Sequence, residues 1–131
     1  MTKYFALALI LVCSCKKTSE HTDETGNGIP GGKGGKFHIA VFPMKDSSGL
    51  SGKVFIKYGT KTIPDTYAQY DDSSATMTEP GFGPHAHFLS LKPGFYAIAA
   101  YAYKSRTICN DTLIEVKDTQ APSVDIPLQL K

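Results

Sequence analysis

The pairing with the sharpest chemical meaning in this sequence is His85-Ala-His87. Residues two apart on an extended chain leave the same face of a strand, so both imidazoles can reach one metal ion. Asp71, Asp72 or His38 would supply a third ligand, and the spacing does not select among them. The plainer reading is two surface histidines facing solvent. Cys109-Asn110-Asp111 sets a thiol beside polar groups, but the sequence positions no base to activate it. A nucleophile elbow for a hydrolase triad is absent. These residues predict no enzyme and no cofactor.

A second group of residues offers stacking rather than ligation. Phe55, Phe95, Tyr101 and Tyr103 sit opposite the expected core faces, and Tyr58, Tyr67 and Tyr70 cluster near the second strand. Aromatic faces stack on sugars and anchor protein interfaces. The alternative is that a loop covers them.

Composition limits the classes of function. The chain has 131 residues and a formal charge of +2, near +1 once Lys3 is removed with the signal segment described below. That balance lacks the basic excess that nucleic-acid binding needs. A chain of this length suits one domain. Twelve Gly, eight Pro and no Trp, with seven Tyr and seven Phe, favour strands and turns over helices.

The opening has Lys3, then the apolar run Tyr4–Val12, which fits the first two parts of a secretory signal. At about nine residues the run is far shorter than the roughly 20 a spanning helix needs. Val12-Cys13-Ser14-Cys15 then resembles the lipobox of bacterial lipoproteins, with cleavage after Ser14 and acylation of Cys15. The lipid at Cys15 implies a membrane attachment. Lys16 follows where the inner-membrane retention Asp of enteric bacteria would stand, so the outer membrane is the expected destination, on its periplasmic or its surface face. The Cys-Lys-Lys start also looks like Bacteroidetes lipoproteins. With Cys13 removed and Cys15 acylated, Cys109 is expected to have no intramolecular partner and no disulfide framework is expected; a buried small apolar residue is favoured there over a free thiol.

The elements that must position these residues begin after a tether. Residues 15–35 are polar and then Gly-rich, without apolar periodicity, and predict a flexible linker. From Lys36 to Lys131 a period-two pattern recurs: Phe37, Ile39 and Val41 until Pro43 ends the run; Val54, Ile56 and Tyr58; Tyr96, Ile98, Ala100 and Ala102; Ile114 and Val116; Val124, Ile126, Leu128 and Leu130. Pro127 asks for an edge or an outward backbone position. The breaks are turn chemistry, including Asp46-Ser-Ser-Gly49 and Lys92-Pro93-Gly94. The expected fold is all-β, a single sandwich of antiparallel sheets.

His87-Phe88-Leu-Ser-Leu91-Lys-Pro-Gly94-Phe-Tyr96-Ala-Ile98 resembles the hallmark turn of the transthyretin-like, carboxypeptidase-regulatory-type β-sandwiches. Gly52–Tyr58 and Val124-Asp-Ile-Pro-Leu128 are similar to a Bacteroidetes lipoprotein branch of it. The resemblance implies about seven strands, with Ala86, Phe88, Leu91, Tyr96 and Ile98 inward and His85 and His87 outward. The first strand departs from the pattern, because Phe37-His-Ile-Ala-Val lacks the usual Gly. The terminal Tyr-Arg-Gly-Ser signature of the hydroxyisourate hydrolases among its members is absent. Some related surface domains cross-link a Lys of the first strand to an Asn or Asp of the last through a buried acid, for which Lys36 and Asp125 are the suggestive pair.

Together these features predict a lipid-anchored envelope protein whose sandwich is a non-catalytic structural or interaction module for a protein or glycan partner. The alternative is a ligand-binding lipoprotein, for glycan or metal, in a nutrient-uptake complex.

Overall fold

In the computed structural model the described residues are 28–131. The signal segment, Cys13, Cys15 and most of the expected tether lie outside them. The described residues form nine strands: β1 Lys33–Lys45, β2 Ser48–Gly49, β3 Gly52–Tyr58, β4 Asp72–Ala75, β5 Met77–Glu79, β6 Phe82–Leu91, β7 Gly94–Ala102, β8 Ser105–Val116 and β9 Ser123–Gln129. One sheet runs β2-β1-β6-β5, with β9 on the other side of β1; the second runs β4-β3-β7-β8. Among the described residues no helix is long and apolar enough to cross a membrane.

The all-β sandwich follows from the alternation. Ile39, Val41, Ala86, Phe88, Leu91 and Leu128 of the first sheet meet Val54, Ile56, Tyr96, Ile98, Ala100 and Val116 of the second, all buried. Pairing is antiparallel except between β1 and β9, which run parallel from His38↔Ser123 to Met44↔Gln129. Leu130 N–H donates to Met44 and His38 N–H to Pro122. By parity the backbone of Pro127 faces away from β1, so its missing donor costs no ladder bond.

Pro43 does not end β1, which continues to Lys45. The ladder to β6 stops at Val41↔Ala86, so no bond on that side needs a Pro43 donor. Asp46 and Ser47, with φ of 53° and 77°, then make the two-residue turn into β2.

The Gly-rich stretch before Lys36 is partly structural, which differs from the linker expected there. Strand β1 starts at Lys33, and the backbone before it lies across the β6–β7 turn. Phe95 N–H donates to Pro30 O at 2.8 Å, and Lys92 N–H to Gly32 O at 2.7 Å. A Cβ on Gly94 would collide with the Pro30 carbonyl, and one on Gly35 with the Leu91 carbonyl. Glycine here serves close backbone approach rather than looseness.

Candidate metal centre on the outer face of the first sheet

Strand β6 carries His85 and His87 on the face turned away from the core, as expected. Opposite them the Pro80-Gly81 turn, with Gly81 at φ 87°, folds β5 back so that Glu79 faces Phe82 and Met77 faces His85. Glu79 and Met77 are two apart and share that outer face. On the other flank β1 presents His38, Ala40 and Phe42, and β9 presents Asp125 across Ala40. Ala40 is small enough to lie beneath its larger neighbours and is itself buried.

Three ligand atoms converge. One from each of Glu79, His85 and His87 lie within 4.8 Å of one another. Metal bonds of 2.0–2.2 Å in tetrahedral geometry need ligand atoms about 3.4 Å apart. The widest gap must therefore close by about 1.4 Å. Glu79, with its side chain 50% exposed, is free to make that adjustment.

His85 is not the solvent-facing residue the strand pattern predicts. It is only 3% exposed, stacked on Phe42 with ring centres 5.1 Å apart and met edge-on by Phe82 at 6.1 Å. Its Nδ1 lies 2.8 Å from Gly83 O. A carbonyl only accepts, so Nδ1 carries a proton, and in the neutral ring Nε2 is the nitrogen with the lone pair. That Nε2 faces Glu79 Oε1 at 3.7 Å. A ring fixed by a bond from its far nitrogen is how metal-binding histidines are held.

His87 is held in the same manner. Its Nδ1 is 2.7 Å from His38 Nε2, and its ring meets His85 edge-on at 4.7 Å. With the shared proton on His87 Nδ1, His87 Nε2 is the available donor. Burial first, then the neighbouring His38 and His85, hold the His87 imidazole below its ordinary value; Glu79 and Asp125 oppose this. A neutral ring is the ligating form.

His38 projects from the outer face because it alternates with buried Phe37 and Ile39, and β6 bulges opposite it. Phe37 pairs with Leu91 and Ile39 with Phe88, so Leu89 and Ser90 together oppose His38, with Ser90 at φ 58°. The extra residue returns Leu91 to the core while His87 stays outside.

The other candidates are not brought to the site. Asp71 accepts from Tyr58 N–H at 2.8 Å and pairs with Lys57, and Asp72 pairs with Ile56, so both belong to the second sheet. Asp125 pairs with Ala40, four residues along β1 from Lys36, which puts the cross-link pair about 13 Å apart.

The aromatic platform is largely closed. A turn of 3-10 helix, Tyr67–Gln69, folds over the second sheet and stacks Tyr67 on Phe55 at 4.5 Å. With Tyr70, Tyr101, Ala99 and Cys109 they form a second small core, Arg106 covers Tyr101 at 4.4 Å, and Lys61 covers Phe95 at 4.6 Å. Tyr58 meets Tyr96 edge-on at the main core, and Tyr103 is exposed. Cys109 is buried, as expected, but it is disulfide-bonded, which corrects the expectation that it has no partner. Removal of Cys13 and acylation of Cys15 was the basis of that expectation, and both residues lie outside the described ones.

Sequence reasoning missed Glu79, Phe42 and Phe82. Glu79 sits in a polar stretch without alternation, and only Pro80-Gly81 two residues before His-bearing β6 marks the hairpin. No protein-family model matches the chain, and a search of curated proteins finds no match.

Proposed function

We propose that this chain is a lipid-anchored envelope lipoprotein whose sandwich is a non-catalytic module that binds a divalent transition-metal ion. The observation that carries the reading is the convergence of Glu79, His85 and His87 within 4.8 Å, with both histidines anchored through Nδ1. Two imidazoles and a carboxylate suit zinc, copper or nickel rather than calcium or magnesium. Three protein ligands leave a fourth position for water or for a ligand brought by a partner. The apolar core lies on the opposite face of the sheet, so the fold does not depend on the ion. That arrangement suits loading and release better than permanent structural zinc.

The lipobox-like Val12-Cys13-Ser14-Cys15 supports anchorage through Cys15, in the outer membrane as first expected. The metal reading is favoured over a structural or glycan-stacking module because three of the aromatic residues that would serve there, Phe55, Tyr101 and Phe95, are covered by Tyr67, Arg106 and Lys61. Zinc titration of the detergent-extracted protein against a chromogenic chelator tests it. One zinc per chain is expected, and none in a His85→Ala/His87→Ala variant that keeps a β-rich circular dichroism spectrum. Equal uptake by both proteins would refute the assignment.

A further inference from the structure

Met77 is the cross-strand partner of His85, on the same outer face as Glu79, and it is 50% exposed. Directly opposed residues in an antiparallel pair have Cβ atoms about 4.5–5.5 Å apart. Methionine is unbranched with three rotatable bonds, so its sulfur, two bonds beyond Cβ, can be turned toward the His85 ring. Its thioether therefore sits within reach of an ion held by His85 Nε2. Met77 is not used by the core: the buried cluster of the sandwich contains no methionine. Thioether sulfur is a soft donor that binds reduced copper and contributes little to zinc. Glutamate is a hard donor with the opposite preference. The two strand-neighbours Met77 and Glu79 thus offer the same pair of histidines two different third ligands.

We infer that this is a copper site that holds both oxidation states: Cu(II) on Glu79, His85 and His87, and Cu(I) on Met77, His85 and His87. The inference rests on the metal-binding reading and narrows it to one element. The exchange of Glu79 for Met77 needs only side-chain rotation on β5, because both residues project from the same face of one short strand. Among divalent ions copper also binds such nitrogen and oxygen sets most tightly. Phe42 and Phe82 close over His85 and restrict water at the ring, which favours the lower-charged ion.

The experiment compares the detergent-extracted wild-type protein with Met77→Leu, a volume-conserving change at a half-exposed position. Cu(I) affinity is measured by competition with a chromogenic Cu(I) chelator under anaerobic reduction, and Cu(II) and Zn(II) affinity by separate competitors. Met77→Leu should weaken Cu(I) binding by about tenfold or more and leave Cu(II) and Zn(II) within about threefold. Glu79→Gln should do the reverse. X-ray absorption of the Cu(I) form should show a sulfur neighbour that Met77→Leu removes. Unchanged Cu(I) affinity in Met77→Leu, with zinc and Cu(II) still lost in the histidine variants, would overturn the copper inference and leave the metal site standing. Failure of the wild-type protein to bind Zn(II), Cu(II) or Cu(I) would overturn both.

Discussion

His38 Nε2 lies 2.7 Å from His87 Nδ1, a separation at which one proton must lie between the two rings. When a metal takes His87 Nε2, that proton belongs to His87 and His38 becomes its acceptor. His38 is then a positioning residue, outside the ligand set. Replacing it should weaken zinc binding by about 10- to 100-fold without abolishing it, the size seen when such supporting bonds are removed. His38→Ala should do this, measured by competitive titration, and His38→Gln, which keeps an acceptor, should recover part of the loss. A complete loss in His38→Ala would make His38 a ligand.

Zinc should stabilise the fold without being required for it. A ligand that binds only the folded chain adds about 2.7 kcal/mol at 100 times its dissociation constant. Thermal unfolding followed by circular dichroism should show a cooperative transition in chelator and a higher midpoint with zinc. Glu79→Gln should keep the chelator midpoint, because Glu79 is half exposed, and should shrink the zinc-dependent rise. An unfolded metal-stripped protein would contradict the separation of core and site.

Tyr96 ties the first described residues to the sandwich. Its hydroxyl accepts from Gly32 N–H at 3.0 Å and donates to Lys92 O at 2.5 Å. Tyr96→Phe leaves both backbone groups without this partner and should cost about 1–3 kcal/mol in denaturant unfolding. Amide exchange at Gly32 should speed up most. Burial raises the Tyr96 phenol above its ordinary value, and the bonds with Gly32 and Lys92 offset part of that. A folded value above the unfolded one means the contribution is whole below about pH 10 and is lost as pH rises through the folded value. The Phe variant should therefore lose stability less steeply above that pH than the wild type.

The proposed processing, with cleavage after Ser14 and a thioether on Cys15, would leave neither Cys13 nor Cys15 to join Cys109, so it and the disulfide of Cys109 exclude each other. Membrane-extracted protein should incorporate a fatty-acid label, and Cys15→Ser should lose it. A non-reducing peptide map that links Cys109 to Cys13 or Cys15 in that material would contradict processing at this site.

The strands that alternate clearly, such as Val124–Leu130, were legible because one face is buried and the other is not. The sandwich follows from them. Strands β4 and β5 were not legible, because Asp72–Ala75 and Met77–Glu79 lie at sheet edges with exposed side chains and leave no apolar signature. Glu79 was hidden for the same reason. The burial of His85 was hidden because Phe42 comes from another strand, 43 residues away. Phe82, 3 residues away on the same strand, reaches the outer face only through an irregularity in the β5–β6 pairing. The Gly-rich start misled because close backbone packing and flexibility draw on the same residue. His85-Ala-His87 sharing a face was readable from spacing alone, whereas its third ligand required the Pro80-Gly81 hairpin.

The most direct measurement is a zinc-edge anomalous difference map from crystals grown with one equivalent of zinc. A single strong peak is expected, bounded by the Glu79 carboxylate, His85 Nε2 and His87 Nε2, with His38 behind His87 and outside bonding distance. Crystals that contain the folded sandwich but show no peak there, or a peak elsewhere, would contradict it.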